Sequence, residues 1–312
     1  MQEHRTIKTD KYTIKDGWLD VGDGHQVYYQ QWGNKRAKTP ILTFHGGPGG
    51  EFSQKHKDLF NPDVHQVIFF DQRGCGNSLP YGEIKHNNPQ SLIEDAKKIL
   101  DKLNIQQIYV RGTSWGSALS LLFAIKFNKL VKAIITGGVF LGTKSEIDFI
   151  DKGGFSNFFP DVWDRFISTS GSGNTAEFHY KVLDESQDES KLKASSKALE
   201  DLESPLLFFD WPGYPAVEEN LEDFDPVPYK IYAHYFRNNS FLSDNYIMDS
   251  VDKITCPTYI VQGRYDMVCP YRTAYRLDAK LKNSKLYTYL GGHVGDYNAR
   301  QMTKILMDTV CI

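Results

Sequence analysis

One serine lies in a sequence context that suits a hydrolytic nucleophile. Residues 112–116 read Gly-Thr-Ser-Trp-Gly, a G-x-S-x-G pattern centred on Ser114. The apolar run IYV precedes the pattern and the helical run SALSLLFAIKF follows it. A nucleophile elbow needs this strand–turn–helix context, because the serine is held on a tight turn at the start of a helix. The pattern predicts that Ser114 is a nucleophile, and the alternative is an ordinary turn with a buried serine.

A glycine-rich loop could stabilise the negative charge that such a nucleophile creates. The sequence HGGPGG at 45–50 follows the strand-like run PILTF. We expect backbone N–H groups of Gly46, Gly47 and Trp115 to form an oxyanion hole, since glycine leaves the substrate unobstructed. We expect His45 to hold the loop by hydrogen bonds rather than to carry protons. A phosphate-binding loop is disfavoured, because no G-K-[ST] follows and Pro48 lacks an N–H donor.

A histidine and an acid follow the serine in the order Ser, Asp, His, which is the order expected after a nucleophile elbow. His293 is the only histidine beyond residue 234, and it follows the strand-like run KLYTY in a Gly-Gly-His turn. Asp266 follows the run TYIVQG, where the acid is expected. Asp278 falls inside a predicted helix, and Asp296 is too close to the histidine along the chain. We therefore expect His293 to be the general base and Asp266 to orient it.

The elements around these residues alternate between strands and helices. Strand-like runs at 27–32, 41–44, 67–70, 108–110 and 131–135 are joined in part by predicted helices at about 89–103 and 117–127. The alternation resumes after 258. The pattern predicts an α/β fold with a mostly parallel sheet flanked by helices. The segment from 141 to 245 lacks strand-like runs and carries an acidic stretch, so we expect it to be an inserted, mainly helical cap. The core would comprise 1–140 and 246–312.

The composition excludes several classes of protein. The net charge of −3 does not favour nucleic acid or an anionic membrane as a partner. The four cysteines form no C-x-x-C pair and no H-E-x-x-H occurs, so we expect no metal and no cofactor. The N-terminus lacks the apolar core of a secretory signal, and no apolar run approaches the ~20 residues that span a bilayer. We expect a cytoplasmic protein, and the sequence leaves both monomer and homo-oligomer open.

Taken together, these motifs resemble those of the prolyl iminopeptidases, serine peptidases of the α/β-hydrolase fold. The resemblance covers both core segments and reaches the cap through HYF at 234–236. The motifs that carry it are LDVGDGHQVYYQQWGN near the start, HGGPGG at 45–50, DQRGCGNS at 71–78, GTSWGS at 112–117, GRYDMVCP at 263–270 and GGH at 291–293.

The resemblance implies an activity and a mode of substrate binding. Members of this family remove an N-terminal residue, preferably proline, from small peptides without a metal. The resemblance implies acylation of Ser114, followed by attack of a water that His293 activates. It also implies two glutamates that bind the free α-amine. Glu203, in ALEDLESP, matches the first. At the position of the second, in IYAHYF, this chain has Tyr232, which supplies no negative charge at neutral pH.

Three hypotheses for function remain open on the sequence alone. The first is an aminopeptidase acting on N-terminal proline, with a small peptide as substrate. The second is an esterase, lactonase or amidase of the same fold, acting on a small acyl substrate without a strict need for a free amine. The third is a binding protein of this fold without catalytic activity, which the apparently intact Ser–Asp–His set disfavours.

Overall fold

The computed structural model describes residues 9–170, 175–211, 213, 221–294 and 297–312. One eight-stranded sheet organises them, with strand order β1-β2-β4-β3-β5-β6-β7-β8. Strands β1 and β2, and β2 and β4, pair antiparallel, and every other neighbouring pair is parallel. The strands are β1 (Thr13–Gly22), β2 (His25–Gly33), β3 (Ile41–Phe44), β4 (Gln66–Phe70), β5 (Ile108–Ser114), β6 (Val131–Val139), β7 (Thr258–Gly263) and β8 (Ser284–Tyr289).

Eleven α-helices are described around this sheet, together with short 3₁₀ turns at Asn128–Leu130, Asn239–Phe241 and Val251–Lys253. The helices are α1 (Gln54–Lys57), α2 (Pro89–Lys102), α3 (Trp115–Lys126), α4 (Lys144–Asp151), α5 (Pro160–Ser170), α6 (Thr175–Glu185), α7 (Glu189–Leu207), α8 (Val227–Arg237), α9 (Tyr246–Ser250), α10 (Tyr271–Lys280) and α11 (Tyr297–Val310). Among the described helices, none has the length and apolar character needed to cross a bilayer.

The central strands form because helices cover both faces of the sheet. All residues of β3 and β4 are buried, and β5 is buried up to Gly112. Strands buried on both faces show continuous apolar runs rather than alternation, which is the pattern of ILTF and VIFF. The predicted α/β class with a mostly parallel sheet is therefore confirmed. Helix α2 begins where predicted, since the side chain of Asn88 accepts the Ser91 N–H at 3.0 Å and Pro89 occupies the first turn.

The described elements between β6 and β7 are helical, from α4 to α9 with two 3₁₀ turns. Helix α8 is tied to the core through Asn87, in the loop before α2. The Tyr235 hydroxyl donates to Asn87 Oδ1 at 2.6 Å, and a ring nitrogen of His234 lies 2.8 Å from the Asn87 carbonyl. These contacts fix α8 to the loop that precedes α2. The division into a core of 1–140 and 246–312 and a cap of 141–245 stays a prediction.

Candidate active site

Ser114 lies at the junction of β5 and α3 in a strained backbone conformation. Its φ is 58° and its ψ is −129°, a combination that residues with a side chain rarely adopt. Two glycines make this turn sterically feasible. A Cβ on Gly112 would lie 2.0 Å from the Gly116 carbonyl oxygen, and a Cβ on Gly116 would lie 2.3 Å from the Phe44 carbonyl oxygen. The G-x-S-x-G spacing thus has a direct steric cause in this fold.

The glycine loop after β3 lies beside the serine. A Cβ on Gly46 would lie 3.5 Å from the Cβ of Ser114, and Gly47 has a φ of 121° that favours glycine. Gly46, Gly47, Ser114 and Trp115 all line one cavity. The N–H of Trp115, at the first position of α3, has no acceptor within its own helix. This backbone donor therefore lies beside the serine, at the cavity where an acylation reaction would form its oxyanion.

His45 and Gln72 fix the loop to the elbow. The Gln72 backbone N–H donates to His45 Nε2 at 3.0 Å, so the His45 proton is on Nδ1, which lies 2.9 Å from the Gly46 carbonyl. The Gln72 side chain donates to the His45 carbonyl at 3.0 Å and accepts the Trp115 indole N–H at 2.9 Å. Burial lowers the pKa of His45 to about 4, so the ring is neutral. His45 therefore supports the loop, as a neutral hydrogen-bonding group.

The rest of the DQRGCGNS segment also forms buried polar contacts. Asp71 Oδ1 accepts the Phe52 N–H at 3.0 Å, and its Oδ2 accepts the Asn77 N–H at 2.9 Å. Arg73 donates to both oxygens of Asp95 at 2.6 and 2.9 Å, and both side chains are almost fully buried. These interactions position the turn that carries Gln72 and, through it, the glycine loop.

His293 is paired with Asp266 by a direct hydrogen bond. The distance from His293 Nδ1 to Asp266 Oδ2 is 2.8 Å. The other oxygen of Asp266 accepts the backbone N–H groups of Val268 and Cys269 at 3.0 and 2.7 Å, and Gln262 Nε2 donates to Oδ2 at 3.0 Å. Burial lowers the pKa of His293, but the charge of Asp266 and its hydrogen bond outweigh burial, so the pKa is raised above its usual value.

The imidazole and the serine approach each other across Gly138. A Cβ on Gly138 would lie 2.8 Å from His293 Cε1 and 3.4 Å from the Ser114 backbone nitrogen. The Ser114 hydroxyl also lies within hydrogen-bond reach of the buried Cys269 sulfur. Burial raises the pKa of Cys269 well above its usual value, so this neighbour of the serine is a neutral thiol.

The His293 loop is anchored to helix α7 by backbone hydrogen bonds. The Leu207 carbonyl, at the end of α7, accepts the N–H groups of His293 and Val294 at 2.9 and 3.0 Å. Glu203 lies one turn earlier on α7. Helix α7 therefore supplies both a support for the imidazole and a carboxylate near it.

Glu203 lies within hydrogen-bond reach of Tyr232, on α8. Burial raises the pKa of Glu203 to about 7, although the Tyr232 hydrogen bond and the charge of His293 act in the opposite direction. The Tyr232 hydroxyl is also within hydrogen-bond reach of Tyr180, whose hydroxyl donates to Asp151 Oδ1 at 2.7 Å. Burial raises the pKa of Asp151 to about 7 as well. Tyr232 and Tyr180 thus link Glu203 to Asp151. Each of these two carboxyl groups has a pKa of about 7 and is therefore only partly ionised at neutral pH.

One cavity of about 690 Å³ is lined by the serine, the imidazole and Glu203 together. Of the residues predicted from the sequence, it is lined by Ser114, His293, Gly46, Gly47, Trp115, Glu203 and Tyr232, while Asp266 lies behind His293. Asp278 hydrogen-bonds to Ser284 instead, and Asp296 lies outside the described residues. The roles of the predicted residues stay predictions. In the described part of the chain, no group of three or more His, Cys, Asp or Glu side chains could hold a metal ion.

Several further polar residues belong to this site or adjoin it and were not predicted from the sequence motifs. Among them are Arg111, Asp151, Tyr180 and Cys269. Asp151 and Tyr180 are brought together by the packing of α4 against α6, which no local motif reveals. Arg111 lies three residues before Ser114, and the occurrence of a charged residue in an otherwise apolar strand run was the one available signal.

Comparison with known proteins defines the class. A family model described as the alpha/beta hydrolase fold matches residues 39–294. An esterase from Exiguobacterium antarcticum has a similar structure, with a TM-score of 0.61 and 18% identity, covering 94% of this chain and 98% of that one. The chain belongs to the α/β-hydrolase family.

Relatives in sequence narrow the class further. The chain is 34% identical over 288 residues to a proline iminopeptidase of Neisseria gonorrhoeae, covering 91% of each protein. It is 33% identical over 296 residues to a proline iminopeptidase of Arabidopsis thaliana, covering 93% of this chain and 77% of that protein. Within the α/β hydrolases, the chain belongs to the proline iminopeptidase family, as the sequence motifs predicted.

Proposed function

We propose that this chain is a serine aminopeptidase that releases an N-terminal residue, preferably proline, from short peptides. The observation that carries the proposal is the convergence on one cavity of Ser114, the His293–Asp266 pair and the carboxyl group of Glu203. The names of the relatives in the same family support the same activity. The substrate class would be small peptides with a free N-terminal amine.

In the proposed acylation step, His293 Nε2 takes the proton of Ser114 Oγ as the hydroxyl attacks the carbonyl carbon of the first residue. Asp266 accepts the Nδ1–H of the imidazole, which fixes the tautomer and stabilises the imidazolium. The oxyanion of the tetrahedral intermediate would accept hydrogen bonds from the backbone N–H groups of the glycine loop and of Trp115. The imidazolium then gives its proton to the leaving amine, and the C–N bond breaks.

Deacylation follows the same path with water as the nucleophile. His293 takes a proton from the water, which attacks the acyl-enzyme ester. The tetrahedral intermediate collapses, the proton returns to Ser114 Oγ, and the free N-terminal residue leaves. The charge of Asp266 and its hydrogen bond raise the pKa of His293, which makes the imidazole a stronger proton acceptor in both steps.

Recognition of the free amine is assigned to Glu203. A substrate ammonium beside this carboxylate would make a charge-assisted hydrogen bond in a largely desolvated position. Because burial raises the pKa of Glu203 to about 7, the bound ammonium would also draw the group into its charged form. Tyr232 orients this carboxylate by a hydrogen bond but adds no charge of its own.

Tyr232 also favours a second candidate, an esterase, lactonase or amidase without a strict need for a free amine. With one partly charged carboxyl group at the cap side, discrimination against neutral or N-blocked substrates would be weaker than with two charged glutamates. The second candidate uses the same acylation of Ser114. It differs only in how the end of the acyl group that would carry the α-amine is recognised.

A substrate panel separates the two candidates. Purified protein would be assayed with proline, alanine and N-acetyl-proline arylamides and with a short acyl ester, and a fluorophosphonate probe would test labelling of Ser114. The aminopeptidase predicts fastest release from the proline arylamide and very slow release from its N-acetyl form. Equal rates on the blocked and free arylamides would favour the second candidate, and no labelling of Ser114 would contradict both.

We also propose that the protein works in the cytoplasm. All four cysteines are unpaired and buried, which suits a reducing compartment. Fractionation of cells that produce the protein, followed by an immunoblot, tests this location, and recovery from the medium or from a membrane fraction would contradict it.

A further inference from the structure

Arg111 is a buried cation without a counter-ion among the described residues. It lies on β5, three residues before Ser114, and its side chain is only 9% exposed. It lines the active-site cavity. Within the part of the chain that the structure describes, no carboxylate forms an ion pair with its guanidinium, and its buried Nε has no hydrogen-bond partner. Burial lowers the pKa of Arg111 to about 10, which still leaves the group protonated at neutral pH.

The surroundings of Arg111 supply further donors and cations. His56, on α1, lines the same cavity. Its Nδ1 accepts the Ser53 N–H at 3.0 Å, so its proton is on Nε2, which can donate. Burial and the nearby charge of Arg111 lower the pKa of His56 to about 4, so the ring is neutral. Lys55 and Arg300 also line the cavity, and Arg300 is paired with Asp58 at 3.0 Å.

The carboxylates that line the cavity belong to its other side. Glu203 is on α7 and bonds to Tyr232, and Glu146 is on α4, where it accepts the N–H groups of Leu141 and Thr143 at 3.0 and 2.9 Å. Among the described residues, no carboxylate lines the part between α1 and α11, and Asp58, the carboxylate beside it, is held in an ion pair with Arg300. A buried guanidinium is unfavourable unless an anion accompanies it, and its planar set of N–H groups fits a carboxylate or phosphate through two parallel hydrogen bonds.

We propose that Arg111 and His56 form a compartment of the active-site cavity that binds a small oxyanion, a carboxylate or a phosphate. Three residues along a strand separate the Cα atoms of Arg111 and Ser114 by about 10 Å. A peptide residue spans about 3.5 Å, so the C-terminal carboxylate of a substrate two or three residues long could reach this compartment while its first carbonyl is at the serine. The oxyanion would then be either that carboxylate or a free anion bound beside the substrate.

The first arm of the test uses peptides, and it rests on the proposed aminopeptidase activity. Di- and tripeptides that begin with proline would be compared as free acids and as C-terminal amides, in the wild type and in Arg111→Met. If the substrate supplies the oxyanion, the wild type prefers the free acid by about tenfold or more in kcat/KM, mainly through KM. In Arg111→Met this preference disappears, because the free acid falls to the level of the amide.

The second arm uses inorganic phosphate and does not depend on any activity. The unfolding midpoint of the wild type would be followed with rising phosphate and, as a control, with sodium chloride at matched ionic strength. If a free anion occupies the compartment, phosphate raises the midpoint in a saturable way, and Arg111→Met removes the rise. Arg111→Lys, which keeps the charge but loses the paired donors, should retain a weaker response and serves if the methionine variant does not fold.

A positive result in either experiment supports the proposed compartment and identifies the source of the anion. A wild type that shows neither an acid-over-amide preference nor a saturable phosphate response would overturn the proposal. The same holds if either effect persists unchanged in Arg111→Met. An inactive protein that still binds phosphate through Arg111 would contradict the proposed function and leave the compartment supported, so the two failures are distinguishable.

Discussion

The hydroxyl of Tyr232, on α8, lies within hydrogen-bond reach of the carboxyl group of Glu203, on α7. Burial raises the pKa of this carboxyl group to about 7, and the tyrosine holds it lower than burial alone would. In the proposed reaction, this pair would set the pH at which Glu203 gains the negative charge that a substrate ammonium needs. In this chain, a neutral phenol and one carboxyl group stand where the family resemblance implies two carboxylates.

Replacing Tyr232 with phenylalanine should change the pH dependence of amine recognition. Without the hydrogen bond, the pKa of Glu203 rises, so a smaller fraction is charged at pH 6. We expect kcat/KM for a proline arylamide at pH 6 to fall about tenfold, with recovery at higher pH. Tyr229→Phe is the matched control, because Tyr229 is one turn earlier on α8 and its pKa is affected by Glu203 through charge alone. Identical pH profiles for the two variants would contradict this role of Tyr232.

Replacing Asp266 with asparagine should disable the general base while leaving the fold in place. The variant cannot hold the His293 tautomer, and we expect kcat to fall about 10⁴-fold. Because the charge of Asp266 raises the pKa of His293, the acid limb of the residual activity should move to lower pH. Asp278→Asn is the control, since the Asp278 side chain bonds to Ser284 away from the cavity. A comparable loss in both variants would argue against the assignment of Asp266.

The strained backbone at Ser114 predicts that a glycine variant at this position is more stable than an alanine variant. At a φ of 58° and a ψ of −129°, alanine keeps the strain and glycine relieves it. We expect Ser114→Gly to be more stable than Ser114→Ala by about 1 kcal/mol in urea unfolding. The same pair of substitutions at Ser117, inside α3, should show the opposite order, because glycine weakens a helix. A less stable glycine variant at 114 would show that the elbow is not strained in solution.

Asp151 should make the protein less stable as the pH rises. Its pKa is raised from 3.8 to about 7, so the folded protein holds its proton through a window where the unfolded chain has lost it. Stability from this group therefore falls between about pH 4 and 7. Asp151→Asn should match the wild type near pH 4 and exceed it above pH 7. The excess should be roughly 1.4 kcal/mol for every pH unit that separates the folded pKa from the unfolded one.

Urea unfolding at several pH values measures this difference. The exposed Asp161→Asn variant, on α5, is the control, and its stability should follow that of the wild type at every pH. A difference between Asp151→Asn and the wild type that does not change with pH would mean that Asp151 has the same pKa in the folded and the unfolded protein, which would contradict this prediction.

The sequence predicts the elements that carry strong local patterns. The buried strands ILTF and VIFF, the Asn88–Pro89 helix start and the G-x-S-x-G turn each have a local physical cause, and the structure has each element where it is expected. Strand β1 was not predicted, because most of its residues are exposed or half-buried and it lacks an apolar run. Its existence depends on antiparallel pairing with β2, which is a contact between segments.

In the candidate site, too, residues with a local sequence pattern could be predicted, and contacts between distant segments could not. Ser114, Asp266 and His293 could be predicted because the fold fixes their order along the chain and their place after a strand. Asp151 and Tyr180 could not, because their contact depends on how α4 and α6 pack. The lack of a counter-ion at Arg111 among the described residues is also a property of the folded cavity, and no spacing in the sequence indicates it.

A free α-amine on the substrate is the central requirement of the proposed Ser114-dependent reaction. The measurement that tests it is the ratio of kcat/KM for proline arylamide to that for N-acetyl-proline arylamide, in the wild type and in Glu203→Gln, with Ser114→Ala as the blank. We predict a ratio of about 100 or more in the wild type. In Glu203→Gln the ratio should collapse, because kcat/KM falls for the free-amine substrate and not for the N-acetyl one. A wild-type ratio near one, or a ratio that Glu203→Gln leaves unchanged, would contradict the proposed function.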